Sequence, residues 1–246
     1  MDIQELLPPM MSPALAPQPK LHRFSIEQYH RMGEAQIFAH NDHVELIYGL
    51  ILDKHTNGVP HRFSVEQYHR MIETGILGEN DKVELIEGLI LEMSPIGSPH
   101  SYTVDALYQA IHEILPSGWK VFVQRPVTLA TAEPEPDLSV VRGDGADFKA
   151  HHPRPADIVL LVEVADSSLE FDRHVKLRMY AAAGVPEYWI VNLRDRQVEL
   201  HRNPVRAADS AGAAYAPSEV VPASAKIPFN LDGRLRGEIA VATILP

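Results

Sequence analysis

Glu163 stands inside the most apolar run of the chain. From Ile158 to Ala165 the sequence reads IVLLVEVA, aliphatic on both alternating faces, the pattern of a strand covered on both sides. An ionised carboxylate in such a run costs roughly several kcal/mol unless a cation or hydrogen-bond donors compensate it, so a site is expected here. Two other groups have types and positions that could serve it. Asp137 closes Glu133-Pro134-Glu135-Pro136-Asp137, at the entry to the apolar stretch Leu138–Val141, and Lys176 follows Glu163 on a helical pattern with Asp172 and Tyr180 four residues to either side on its own face.

The elements that must position these groups are legible around them. Asp166, Ser167 and Ser168 supply turn and cap chemistry after the Glu163 strand. The helix that follows places Val175, Met179 and Ala182 on its inward stripe, with Lys176 one position off it. Gly184 stops that helix and Pro186 prevents its resumption. Tyr188–Val191 then forms a second buried strand, giving a strand, helix, strand unit with a right-handed crossover, and Gln197–His201 pairs with it. Upstream, His100–Leu115 is a helix with Val104, Leu107, Ile111 and Ile114 on one face. Trp119–Val123, Val127–Ala130 and Leu138–Val141 are strands, with Pro136 confined to a strand entry or edge. Residues 142–156 form a polar loop, and the tail from about 204 carries one or two short strands such as Glu219–Val221.

At 246 residues the chain can bury a sizeable core. It has no run of about 18 apolar residues and no signal-peptide pattern, and it has no cysteine, which excludes thiolate metal sites and fits a cytoplasmic protein without a membrane role. The formal charge of −11 argues against a protein that grips long nucleic acid over its whole surface. Any such contact is local, metal-assisted or made by a multimer.

Residues 1–20, rich in Pro, Met and Ala, read as a disordered leader. A tandem repeat follows. His22-Arg23-Phe24-Ser25-Ile26-Glu27-Gln28-Tyr29-His30-Arg31-Met32 returns as His61-Arg62-Phe63-Ser64-Val65-Glu66-Gln67-Tyr68-His69-Arg70-Met71, and Val44-Glu45-Leu46-Ile47 returns as Val83-Glu84-Leu85-Ile86. Each copy opens on a Ser-x-x-Gln capping box, Ser25 with Gln28 and Ser64 with Gln67. A helix and a hairpin follow, the second hairpin running from Lys82–Ile86 through Glu87-Gly88 into Leu89–Met93. Two copies are too few for a solenoid, so the first copy is read as a segmental duplication over 21–60. Only the second copy runs directly into the remaining domain, 61–204, with 205–246 an extension packed on it.

The order helix, three strands, helix, strand, carrying Pro136-Asp137, Glu163 and Lys176, resembles the PD-(D/E)xK nuclease superfamily. The blocks VELIEG, MSPIGSPH, PEPDLSVV, LLVEVADSS and DRHVKLRMYAAAGVPEYWIVN resemble the Uma2 family (DUF820) within it, over about residues 61–202. The resemblance implies an α/β (α+β mixed-sheet) restriction-endonuclease-like core and nuclease activity. The lysine expected two residues after the glutamate is replaced by Ala165; Uma2-like sequences resemble this one in placing it on the next helix, at Lys176. Phosphodiester hydrolysis needs a divalent cation to neutralise developing charge and activate water. Mg²⁺, or Mn²⁺ in its place, is commonly held by one or two carboxylates with waters and substrate oxygens. On this resemblance Asp137 and Glu163 would supply the two carboxylates, and Lys176 would orient the water or stabilise the phosphoryl oxyanion. Glu84 is a candidate further ligand and His100 a candidate phosphate-binding or site-holding residue.

Structural readings of the same residues stand beside these. Glu163 can be a buried glutamate satisfied by Arg or backbone donors, Asp137 a strand-entry turn residue, and Lys176 a solvated helix lysine paired with Asp172. Glu84 can be a hairpin surface charge and His100 a helix cap; Tyr180 reads as packing, His151-His152 as loop and Trp189 as core or dimer contact. The function expected first is a metal-dependent endonuclease, acting on DNA by preference, as a homodimer. A catalytically silent binding or oligomerisation scaffold and a small-phosphoester hydrolase are the alternatives.

Overall fold

The computed structural model describes residues 19–56, 58–205 and 212–246; the leader expected over 1–20 lies outside the described residues apart from its last two. The chain divides into two compact units, Met1–Ser94 with Ala130–Pro134, and Pro95–Leu129 with Glu135–Pro246.

The first unit contains both repeat copies, preceded by β1 (Lys20–Leu21). The first copy runs α1 (Ile26–Glu34), β2 (Val44–Ile47) and β3 (Leu50–Asp53). After β4 (Val59–Pro60) the second runs α2 (Val65–Glu73), β5 (Val83–Ile86) and β6 (Leu89–Glu92). Both capping boxes form: Ser25 Oγ and Ser64 Oγ each accept an N–H from the glutamine three residues on, at 3.1 Å, and each glutamine Oε1 accepts the serine N–H. The hairpins close on Tyr48-Gly49 and Glu87-Gly88, with φ of 50° and 82°, and 48° and 83°, the left-handed pair that matches the twist of two-residue hairpins. At Gly88 the backbone also passes close to another segment, because an added Cβ would sit 2.9 Å from Arg62 Cβ. Gly88→Ala should therefore lower unfolding stability by about 2 kcal/mol, read as a shifted urea midpoint at unchanged slope.

Within this unit His22 and His61 hold below their ordinary pKa. Burial is the main cause and outweighs the opposing charges of Asp81 and Glu92 around His22 and of Asp42 and Asp53 around His61. The folded unit keeps both imidazoles neutral while the unfolded chain protonates near 6.5. Their contribution to stability is thus present above pH 6.5 and is lost as the pH falls from 6.5 toward the lowered folded values. Urea midpoints should decline over that window, and a His22→Gln/His61→Gln double variant should show a shallower decline.

The second unit runs α3 (Ser98–Ile114), β7 (Trp119–Val123), β8 (Leu138–Arg142), β9 (Ile158–Ala165), α4 (Leu169–Phe171), a π-helical stretch Asp172–Lys176, α5 (Leu177–Ala183), β10 (Glu187–Asn192) and β11 (Gln197–Arg202). It ends with β12 (Pro204–Val205), β13 (Ala214–Tyr215), β14 (Glu219–Pro222), β15 (Lys226–Leu231), β16 (Arg234–Ala240) and α6 (Val241–Ile244). Six strands form a mixed sheet in the order β14-β11-β10-β9-β8-β7, parallel only between β9 and β10. That single parallel pair is the one that needs a crossover helix. Alternate residues of the sheet, Leu138, Val140, Leu160, Val162, Val164 and Trp189, join α3 and the β15–β16 hairpin in one core. The opposite positions of β9, including Glu163, face away from that cluster, where α5 meets them.

Three sequence expectations change. Residues 127–130 are not a strand, because the segment has no strand partner: Thr128 N–H donates to Pro153 O, in a loop, rather than into a ladder. With that strand removed, β7, β8 and β9 are the three strands of the helix, three strands, helix, strand order. The helix after β9 is not uniform, since its middle turn is π-helical, a widened turn that re-aims side chains and recurs at functional sites. The tail also holds more strand than expected. β14 extends the main sheet, and β15 and β16 join through Asp232-Gly233 with φ of 50° and 71°, a turn whose Asp-Gly signal is plain in the sequence.

Candidate active site

β8 and β9 pair antiparallel with Leu138 opposite Val162. The residue before Leu138 therefore meets the residues just past Val162. Asp137 uses that position to accept the backbone N–H of Val164 on Oδ2 at 2.8 Å, which ties its carboxylate to the strand beside Glu163. His100, in the first turn of α3, contacts the same oxygen through Nε2 at 3.0 Å, and Gln124 Nε2 donates to Oδ1 at 3.2 Å. Burial alone would lower the His100 pKa, but the hydrogen bond and charge of Asp137 outweigh it and the net shift is upward. The remaining ring nitrogen, Nδ1, is buried without a hydrogen-bond partner.

Glu163 is buried on β9. Its Oε1 accepts from Lys176 Nζ and from Tyr180 OH, each at 2.9 Å. Lys176 ends the π-helical stretch with its side chain only 8% exposed, so the pair is taken out of water almost completely. Such a pair persists because each partner satisfies the other, and removing one strands a buried charge. Asp172, also buried, accepts from Ser168 Oγ at 2.7 Å. Tyr188 is fully buried next to Tyr180, with ring centroids 5.0 Å apart. Burial raises its pKa well above the ordinary value, and the charges of Asp172, Glu163 and Asp137 add to the shift. His100 in turn feels Asp137, Asp172 and Lys176. Three acids and one amine therefore share one buried electrostatic neighbourhood within the second unit.

The structure thus brings Asp137, Glu163, Lys176 and His100 together in that unit. Glu84 belongs to the first unit, buried on β5 opposite Leu91. Lys176 is buried and donates to Glu163 rather than lying solvated on the helix surface. Tyr180, read from sequence as packing, donates directly to the central carboxylate; its place four residues after Lys176 was the available signal. Gln124 carries no sequence signal, because its reach to Asp137 follows from a left-handed residue, φ 46°, just past β7. Tyr180→Phe removes one donor to a buried carboxylate and should lower unfolding stability by about 2 kcal/mol, measured by denaturant titration. Among the described residues no group of three or more His, Asp or Glu side chains is gathered as a ready-made metal cage.

A family model matches residues 65–233: Uma2, described as "Putative restriction endonuclease". The match starts at the second repeat's helix and leaves the first copy outside. A solved structure similar to this chain is the crystal structure of a "putative nuclease belonging to DUF820" from Anabaena variabilis ATCC 29413, 14% identical, with a TM-score of 0.57. The similarity covers 74% of this chain and 97% of that one, and it shows a shared fold. The search of curated proteins gives no match. Among the described residues no helix is long and apolar enough to cross a membrane.

Proposed function

Because this chain belongs to the Uma2 family, we propose that it is a Mg²⁺- or Mn²⁺-dependent endonuclease that hydrolyses nucleic-acid phosphodiester bonds, with DNA the favoured substrate and a homodimer the working form. The observation that carries this reading is the buried Lys176–Glu163 contact beside Asp137, whose carboxylate is bound to the backbone of Val164.

The donor set fits a hard divalent cation. Glu163 on β9 and Asp137 immediately before β8 offer buried carboxylates, and Mg²⁺ characteristically takes one or two carboxylates and fills its shell with water and substrate oxygens. Two acids without a third are therefore sufficient. When bound, the cation would neutralise charge on the phosphoryl group and lower the pKa of an attacking water.

The chain's own residues supply the rest. Lys176 donates to Glu163 Oε1, and its ammonium would orient a water or donate to a phosphoryl oxygen beside that carboxylate. Tyr180 fixes the same oxygen from a second direction, so Glu163 cannot rotate toward either donor without losing the other. Gln124 and the Val164 N–H hold the Asp137 carboxylate from two sides. His100 supports Asp137 through Nε2, with Nδ1 buried and unpartnered. The surplus of acids across the chain, −11 in all, makes the cation the local means of admitting an anionic substrate.

Purified protein should cleave supercoiled and linear DNA with Mg²⁺ or Mn²⁺ and should stop when the metal is chelated. A substrate series from long duplex to dinucleotide to a chromogenic monoester tests the substrate class. Activity confined to the shortest substrates would replace the endonuclease with a small-phosphoester hydrolase. A folded protein inert on the whole series with either metal would leave a binding scaffold.

A further inference from the structure

The two repeat copies do more than share a fold within the first unit. β1, which precedes the first copy, pairs with β6 of the second, Lys20 opposite Glu92 and Leu21 opposite Leu91. β4, which precedes the second copy, pairs with β3 of the first, Val59 opposite Asp53 and Pro60 opposite Leu52. These are equivalent residues of the two copies, with the roles exchanged. The same reciprocity holds beyond the strands. His22 N–H donates to Ile90 O and His61 N–H to Ile51 O, at 2.9 and 2.8 Å. Gln28 Nε2 donates to Ile76 O and Gln67 Nε2 to Ile37 O, at 2.9 and 2.7 Å.

The apolar contents match in the same way. Phe24 and Phe63, Met32 and Met71, and Ile37 and Ile76 lie in one buried cluster, and the Phe24 and Phe63 rings are 6.2 Å apart. A pocket is lined by Leu21, His22 and Ile51 and by their equivalents Pro60, His61 and Ile90. A surface on which residue i of one module meets residue j of the other, and j meets i, is the defining property of an isologous, self-complementary interface. Here that interface is made inside one chain.

We propose that each repeat carries a homotypic interaction surface, that the first copy fills the surface of the second within the chain, and that the partner this surface accepts in trans is the first copy of a second chain. The connection between β3 (Leu50–Asp53) and β4 (Val59–Pro60) is where the modules part. Opening it releases residues 19–53 as a module, and two chains can exchange these modules while remaking every strand pair, glutamine bond and apolar contact between copies. Exchange costs little at equilibrium because the contacts are identical.

The test uses full-length protein, in which introduced cysteines are the only ones because the chain has none. Lys20 and Glu92 are exposed partners on β1 and β6, and neither belongs to the candidate active site. A Lys20→Cys/Glu92→Cys chain should close its disulfide within one chain and run at monomer mass on mild oxidation. A Lys20→Cys chain and a Glu92→Cys chain, unfolded in urea, mixed and refolded together at high concentration, should give a disulfide-linked species of twice the monomer mass. Lys20→Cys co-refolded with Asp53→Cys, whose strand partners are Val44 and Val59 rather than residue 20, should give none. Failure of the double variant to close would overturn the reciprocal pairing. Closure within the double variant without a two-chain product from the co-refolded pair would overturn the exchange, and so would equal yield from the Asp53→Cys control. Nuclease assays do not enter any of these readouts, so the result is independent of the proposed chemistry.

Discussion

Glu163→Gln is expected to reduce metal-supported DNA cleavage by about a thousandfold or more, in the range that loss of a transition-state-stabilising group costs, in a protein that is still folded but less stable, because the buried Lys176 ammonium loses its counter-charge. Glutamine keeps the volume and still offers an oxygen to Lys176 Nζ and Tyr180 OH, which now sit 2.9 Å from Oε1. What it lacks is the negative charge that would hold a cation. Asp137→Asn should behave in the same way, because the amide oxygen can still accept the Val164 N–H. Cleavage rates with Mg²⁺, set beside circular dichroism and a denaturation midpoint for each variant, separate loss of chemistry from loss of fold. Wild-type rates in either folded variant would remove these two acids from the mechanism.

Lys176→Met is expected to act on stability as strongly as on cleavage. The side chain is 8% exposed and its carboxylate partner 6%, so removing the ammonium leaves Glu163 in a dry site with Tyr180 as its remaining donor in the contacts described above. Breaking a buried pair from one side costs about 3 to 5 kcal/mol, whereas replacing both partners by neutral groups is often close to neutral. The Glu163→Gln/Lys176→Met double variant should therefore recover much of the stability that the single lysine variant loses, without recovering cleavage. Urea denaturation of wild type, both singles and the double closes that cycle. Additive losses would show that the two groups do not act as a pair.

The relation between the sequence and these side chains is instructive residue by residue. Glu163 was legible because an acid inside IVLLVEVA conflicts with its neighbours, and conflict between local pattern and residue type is where function shows. The capping boxes at Ser25 and Ser64, the Gly184 stop and the β10–β11 pairing follow from short-range chemistry, which a single sequence carries well. The residues 127–130 misled because apolar content signals burial, and Val127 and Leu129 are indeed buried, but a strand also needs one continuous partner. The π-helical turn at Asp172–Lys176 has no local signature. It accompanies the contact of Lys176 with Glu163 on the sheet face that the helix covers, a tertiary condition. Gln124 was hidden for the same reason, and Tyr180 was visible only as a neighbour of Lys176 until its hydroxyl was placed on Glu163. The repeat was evident in the sequence, whereas the exchange of strands between its copies was not, because reciprocity is a property of contacts rather than of similarity.

The most direct measurement of the metal site is a calorimetric titration of Mn²⁺ into the wild-type protein and into folded Asp137→Asn and Glu163→Gln. Saturable binding by wild type that disappears in both variants is the predicted result. Binding of equal strength in all three, or none in the wild type, would contradict the assignment of Asp137 and Glu163 as the residues that hold the cation.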